Sequence, residues 1–349
     1  MATSHHKIII IGGGVAGLSC CYALQTLGID ALVIEAGTVG SAKMCGEFIA
    51  PPAVKILQDW DVSGIQPVQS ASFTTTKKTL NINFPTLAGG FSRSLAECLL
   101  KDKILQRGGR VWEGTKVISH DLNATQKRFQ LKLSNDQVLS ADNVFVASGH
   151  LRASSKKSDY VGIKFHIKKS CDNLQMFTGQ NAYLGLVPIS TTESNCTGLF
   201  YLETKNTDKP MPDKLMRTFI QHHPSLKAFF ADTDFTALDI LAGQAPKFGV
   251  RQNFYASNIY WIGDSIASLY PAIGAGFCHA LMSGIAAAEH FVQHAPKKFF
   301  YNSTQTAKKK FKASLLAHHL LLHPKLANFL APMLQPSLIK SIFKYIQYA

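Results

Sequence analysis

The segment Lys7-Ile8-Ile9-Ile10-Ile11-Gly12-Gly13-Gly14-Val15-Ala16-Gly17 decides how this chain is read. Its isoleucine run is too short for a membrane span or a signal-peptide core and leads straight into glycines, so it predicts a buried strand. The glycines keep G-x-G-x-x-G spacing. Gly12 permits a tight strand-to-helix turn, Gly14 lets backbone approach a diphosphate, and Gly17 lets the next helix lie close to the sheet. Amides at the helix start, those of Val15 and Ala16 among them, are unbonded and can donate to that diphosphate. The pattern predicts a helix over Val15–Leu27 and a second strand over Ala31–Glu35, a βαβ unit. Glu35 stands roughly 20 residues beyond the glycines, where a carboxylate can bind ribose hydroxyls. An acid there favours FAD or NAD over NADP.

Outward from this unit, 349 residues with 46% hydrophobic and 17% charged side chains describe a globular chain of one large domain or two ordinary ones. No apolar run is long enough to span a bilayer, and a cytoplasmic location is expected. Seven cysteines form no CxxC pair and no Cys/His ligand spacing, which argues against a disulfide framework and a structural metal. Cys20 and Cys21 fall on the first helix and are expected in the core. The net charge of +14 is uneven: residues 295–349 hold nine lysines, no arginine and no acid, leaving +5 for the rest.

Further along, Ser92–Gln106 has the apolar spacing of an amphipathic helix stopped at Gly108-Gly109. Arg110–His120 and Phe129–Leu133 read as strands of a small antiparallel meander, and Asn143–Ala147 as a buried strand. Tyr160–Ile167, Leu174–Phe177, Ala182–Pro188 and Thr197–Leu202 alternate as antiparallel strands do, and Lys214–Phe230 reads as helical. Asn258–Ile262 is another apolar strand, followed by Gly263-Asp264. Pro271-x-x-Gly274-x-Gly276 then opens a helix to about His290. The last stretch is helical, broken at Pro324, Pro332 and Pro336. Asp264 can bond ribityl hydroxyls. A helix N-terminus at Gly274–Phe277 offers positive dipole charge to the pyrimidine edge of a flavin. Together these features select FAD over NAD.

In their order along the chain, the glycine loop, Ser92-Arg93-x-Leu95 at a helix start, the Gly114–Val117 strand and Gly263–Gly276 cover most of residues 1–290. They resemble the group holding geranylgeranyl reductases, aromatic-ring hydroxylases and flavin-dependent halogenases, with most similarity to the reductase branch. The resemblance implies that Arg93 approaches the FAD diphosphate or ribityl and that the Val117 backbone meets the adenine. Met44-Cys45-Gly46-Glu47-Phe48 looks like the Cys-Gly segment beside the isoalloxazine. That makes Cys45 the candidate active-site residue, shaping the pocket or supplying a proton; a small core cysteine is the bland alternative. Glu47 can instead be a carboxylate at a helix start. Three departures stand out. Ala147-Ser148-Gly149-His150 lacks the acid of the hydroxylases' Asp-Gly pair, and nothing matches the halogenases' Trp-x-Trp-x-Ile-Pro. Tyr183-Leu184-Gly185-Leu186-Val187-Pro188 keeps only Tyr and Pro of the reductases' aromatic segment. Tyr183 is a candidate wall of the substrate pocket.

The expected architecture is α/β with an α+β insert. A Rossmann-like FAD domain is drawn from residues 1–70, 88–150 and 255–295, a β-sheet substrate domain from 71–87 and 151–254, and a basic helical segment from 296–349. The expected activity is reduction of a carbon–carbon double bond in a hydrophobic, isoprenoid- or polyketide-like substrate by hydride from reduced flavin. An external electron donor is required, NAD(P)H among the candidates. An FAD-dependent monooxygenase and a non-catalytic flavin-binding protein are the alternatives. In Leu338–Tyr348 apolar positions face away from Lys340 and Lys344, a pattern suited to an anionic membrane surface or to a helix capping the domain. Nucleic acid is not expected as a partner, since no reader motif or arginine cluster accompanies the charge. His318, His319 and His323 read as helix-face residues.

Overall fold

The computed structural model describes residues 4–75, 78–123, 127–149, 158–202, 211–252 and 258–330. Strand β1 (Ser4–Ile11) leads into helix α1 (Val15–Thr26) and β2 (Leu32–Ile34). There follow β3 (Phe48–Ile49), α2 (Pro51–Asp59), the hairpin β4 (Gln66–Thr74) and β5 (Thr79–Gly90), and α3 (Arg93–Gln106). Next come β6 (Arg110–Trp112), β7 (Val117–Asn123), β8 (Arg128–Leu133) and β9 (Val138–Val146). Four long strands follow: β10 (Tyr160–Ile167), β11 (Leu174–Gly179), β12 (Ala182–Pro188) and β13 (Ser194–Tyr201). Helices α4 (Pro212–Gln221) and α5 (Pro224–Phe229) precede the short strands β14 (Leu241–Gln244), β15 (Gly249–Val250), β16 (Ile259–Trp261) and β17 (Ala267–Ser268). The described chain closes with α6 (Gly276–Val292), α7 (Pro296–Leu322) and α8 (Pro324–Leu330).

A seven-stranded sheet runs β6-β2-β1-β9-β8-β7, with β16 also paired to β9. Strands β6, β2, β1, β9 and β16 are parallel to their neighbours, whereas β7 and β8 extend β9 as an antiparallel meander. The isoleucine run explains why this sheet is covered on both faces. Successive side chains alternate: Ile8 and Ile10 join Leu18 and Leu24 of α1 and Leu100 of α3, while Ile9 and Ile11 meet Leu131 and Leu133 of the meander. Ile8, Ile9 and Ile10 are almost wholly buried, which stabilises the fold by about 1.5–3 kcal/mol for each side chain.

The second sheet has eight strands in the order β14-β10-β13-β12-β11-β4-β5-β3. All its pairings are antiparallel except β11 with β4. Phe165, Leu184 and Leu186 on one face pack under Met216, Phe219 and Leu226 of α4 and α5. The other face, with Met176, Tyr183 and Leu199, turns towards the first unit.

Two expected elements come out differently. Arg110–His120 is not one meander strand: Gly114 takes a left-handed conformation (φ 67°), so the chain turns, β6 joins the parallel sheet beside β2, and the meander begins at Val117. Lys214–Phe230 is two helices, because Pro224 cannot donate a backbone hydrogen bond and forces His223 into extended backbone. Leu338–Tyr348, Pro332, Pro336 and His150 lie outside the described residues. Among the described residues no helix is long and apolar enough to cross a membrane.

Candidate functional site

The glycine turn between β1 and α1 is shaped for close approach. Gly12 has φ 109°, and a Cβ there would strike the Ala147 carbonyl of β9's C-terminal continuation. A Cβ on Gly17 would collide with the Gly12 carbonyl oxygen, so only glycine lets α1 sit this close to the sheet. Gly14 is the N-cap of α1 and no side chain caps the helix, leaving the amides of Val15, Ala16 and Gly17 directed outward. Glu35 at the end of β2 accepts hydrogen bonds from Gly13 N (2.6 Å) and Gly37 N (3.1 Å), which ties its carboxylate to the rim of the turn.

Arg93 begins α3 and faces the same turn, its Nη2 3.7 Å from where a Cβ on Gly14 would stand. Its Nε donates to Glu97 one helical turn on (2.9 Å), and Lys43 donates to the other oxygen of Glu97 (2.9 Å). Glu97 is fully buried, so the two cations offset the cost of burying its carboxylate. Burial works against the Arg93 charge, but Cys45, Glu97 and Asp264 outweigh it and raise the guanidinium pKa. Asp264, distant in sequence, is thus an electrostatic neighbour of Arg93 and hence of the glycine turn.

Gly263 packs against Ala16 on α1 and donates its amide to Ser283 Oγ (2.8 Å). Ser19 Oγ donates to the Leu281 carbonyl (3.2 Å), and Gly284 presses on Ala16 and Ser19. These small residues hold α6 against α1. Gly274 closes the 3₁₀ turn Pro271–Ile273 beside Phe48, and Gly276 opens α6. The amino-terminal turn and Gly263–Gly276 therefore converge.

Two cavities flank this junction. A smaller one, about 230 Å³, is lined by Gly12, Glu35, Val117 and Ser148 together with Arg251 and Trp261. The Arg251 guanidinium lies 3.8 Å above the Trp261 ring, and its Nε donates to the Ser265 carbonyl (2.8 Å). The larger, about 1000 Å³, lies between the eight-stranded sheet, the Met44–Phe48 segment, Pro271–Gly274 and α7. Cys45 and Tyr183 both line it, and Gly274 forms part of its wall.

Desolvation pushes the Cys45 thiol pKa up, against the opposing charges of Arg93 and Lys164, so the sulfur carries its proton at neutral pH. Tyr183 is 3% exposed, and burial beside Tyr160 and Tyr270 pushes its phenol well above the usual range. Its hydroxyl stands 3.4 Å from Nδ1 of His318 on α7. The His318 ring stacks on Tyr270 at 4.2 Å, its Nε2 has no hydrogen-bond partner among the described residues, and burial with His319 and His323 drives its pKa down to about 4.

The Met44–Phe48 segment is clamped from the second sheet by residues that sequence reasoning passed over. Glu47, 1% exposed with φ 55°, is bonded by Lys164 Nζ (2.6 Å) and His166 Nε2 (2.6 Å) and accepts the Arg93 amide (2.9 Å). It is thus a carboxylate at a helix start, but of α3 rather than of the helix next in sequence. Burial pushes the Glu47 carboxyl up; His166 and Lys164 more than offset this and hold it below the usual carboxylate range. Asn195 Nδ2 donates to the Gly46 carbonyl (2.9 Å) and Thr197 Oγ1 to that of Cys45 (3.1 Å). Lys164 and His166 alternate with buried Ile163, Phe165 and Ile167, a polar stripe visible in the sequence; only the partner it meets is not.

No protein-family profile and no curated protein matches the chain. Solved structures match over nearly the whole chain. A flavoprotein/dehydrogenase from Cytophaga hutchinsonii superposes with TM-score 0.81 at 16% identity, covering 98% of this chain and 92% of that one. A probable FAD-dependent monooxygenase from Pseudomonas aeruginosa gives 0.76 at 14%, covering 94% and 100%. A geranylgeranyl bacteriochlorophyll reductase-like protein from Thermoplasma acidophilum gives 0.71 at 16%, covering 100% and 93%. The fold is accordingly that of the FAD-binding hydroxylases, with a Rossmann-like parallel sheet, an antiparallel sheet and carboxy-terminal helices. Structures of flavin-dependent brominases and halogenases match as well, beside the monooxygenase and the reductase-like protein, so no branch is singled out.

Proposed function

We propose that the chain binds one extended FAD and is an oxidoreductase acting on a large apolar substrate. The observation that carries this reading is the chemistry of a single path. It runs from the smaller cavity at Glu35 and Val117, past the bare helix start at Gly14–Gly17 and Arg93, along Asp264, to Gly274 at the wall of the larger cavity, two residues before Gly276 opens α6. In this reading Glu35 holds ribose hydroxyls, and the Val117 backbone and Arg251–Trp261 pair border the adenine. The Val15 and Ala16 amides with Arg93 hold the diphosphate, and Asp264 holds the ribityl chain. The residues fit such a group: Gly12, Gly13 and Gly17 leave no room for side chains in the turn, and the helix dipole and guanidinium supply positive charge.

When bound, FAD would supply hydride from its reduced ring. The chain's own residues hold and shield the substrate. Apolar walls from Phe73, Leu174, Met176 and Leu199 exclude water, and the Asn195 and Thr197 clamps fix the segment that presents Cys45. The neutral thiol of Cys45 and the neutral phenol of Tyr183 can each yield a proton to a reacting carbon or oxygen. Reduction of a carbon–carbon double bond uses these groups directly, which favours it. A monooxygenase is the second reading, favoured by the likeness to the Pseudomonas aeruginosa protein. The parallel-sheet unit is taken as the FAD-holding part and the eight-stranded sheet as the substrate-holding part.

Titration of the purified chain with FAD, read by flavin absorbance and fluorescence, tests the cofactor; absence of any bound flavin overturns the reading. Anaerobic turnover with a chemical electron donor supports reduction. Oxygen uptake in step with product supports the monooxygenase.

A further inference from the structure

The larger cavity has an asymmetric chemistry. Its walls are apolar along Phe73, Leu80, Ile82 and Leu174, and no aspartate or glutamate stands among its described lining residues. The charged side chains on it are all lysines: Lys78 from the β4–β5 hairpin, and Lys309 and Lys312 from α7. All three are exposed, and none is in an ion pair among the described residues. Leu316, 64% exposed, follows Lys312 by one turn of α7 and borders the same space. Thr75 Oγ1 donates to Asn328 Oδ1 of α8 (2.6 Å), tying the turn of the lysine-bearing hairpin to the carboxy-terminal helices. Helix α7 itself adds no compensating charge, for it carries six lysines and no acid over its length.

We propose that the larger cavity takes an amphipathic anion, its apolar chain inside and its acidic head held at the mouth by Lys78, Lys309 and Lys312. The proposal rests on the reading of this cavity as the substrate site and adds the substrate's charge and direction. A wholly neutral hydrocarbon would leave three like charges around an apolar opening uncompensated. An acidic head offsets their mutual repulsion while the chain replaces water on the walls. At about 1000 Å³ the cavity stands at the top of the usual ligand-pocket range of ~300–1,000 Å³, room for a long chain beside a ring system. The head group's source, a soluble acid or a membrane lipid, does not alter this chemistry.

Calorimetric titration of the FAD-loaded protein with octyl phosphate, octan-1-ol, octyltrimethylammonium and inorganic phosphate tests it. Octyl phosphate should bind about tenfold tighter than the alcohol or the cation, the scale of a few exposed charge pairs, and far tighter than inorganic phosphate. In a triple variant Lys78→Gln/Lys309→Gln/Lys312→Gln, octyl phosphate should fall to the alcohol's affinity while octan-1-ol is unchanged. Equal affinity for phosphate and alcohol, or selectivity that survives the triple variant, overturns the proposal. Inorganic phosphate binding as tightly as octyl phosphate overturns it too. Flotation with phosphatidylglycerol and phosphatidylcholine vesicles separates the sources. Lysine-dependent flotation on phosphatidylglycerol, together with octyl phosphate binding, assigns a lipid; octyl phosphate binding without flotation assigns a soluble acid. Flotation without octyl phosphate binding overturns the cavity site. Selective octyl phosphate binding by protein that takes up no flavin upholds the anion site and sinks the FAD reading instead.

Discussion

Glu35 and Glu47 are both carboxylates at helix or strand ends, yet their surroundings assign them different work. Glu35 receives two backbone amides on the rim of a cavity and keeps capacity for a ligand's hydroxyls. Glu35→Ala should weaken FAD binding by about 2 kcal/mol, roughly 30-fold in Kd, with the fold intact, as read by flavin titration and circular dichroism. Glu47 is enclosed and its charge is spent on Lys164, His166 and the Arg93 amide. Glu47→Gln leaves the Lys164 ammonium buried and unpaired, so urea denaturation should register a loss of about 3 kcal/mol. Adding Lys164→Met should recover part of that loss, because the uncompensated charge is gone.

At the scale of elements, the packing of α6 and α7 buries groups that resist protonation. His279 on α6 is held down to about 4 by burial and by Lys310, and His318 on α7 to about 4 by burial and its histidine neighbours, against an ordinary 6.5. Between those values the unfolded chain binds more protons than the folded one, so stability rises with pH from about 4 to 6.5 and is lost as pH falls through that window. Each histidine should account for on the order of 3 kcal/mol. His318→Phe should flatten the drop in melting temperature between pH 6.5 and pH 4, and a wild-type melting temperature constant over that window would refute the assignment. Lys310 sits between the same helices at 2% exposure, without an ion pair among the described residues, and burial lowers its pKa. Lys310→Met keeps the volume and removes the desolvation cost, so urea denaturation should show a gain of about 1–2 kcal/mol.

For the whole molecule, the proposed FAD path joins segments far apart in the chain and borders both sheets. A group bound along it stabilises the folded state by mass action. FAD at 100 times its Kd should therefore add about 2.7 kcal/mol, raising the melting temperature in a concentration-dependent way. The same concentration of NAD should add less, since the larger cavity would go unfilled. Equal shifts with FAD and NAD would argue against a flavin ring at Gly274.

Local rules made much of the fold legible. Four isoleucines, spaced glycines and a terminal acid specify strand, turn, helix and strand because each requirement is met within a few residues. Strand alternation likewise marked β10, β11 and β12, but Lys164 and His166 on β10 were not singled out. Tertiary structure decided what those strands face. Glu47 caps a helix 46 residues away, Lys164 reaches it across 117, and Tyr183 meets His318 across 135. Such pairings depend on how two sheets are set against α6 and α7, a long-range choice made by burial of apolar area, which carries no mark of its partner in the local pattern.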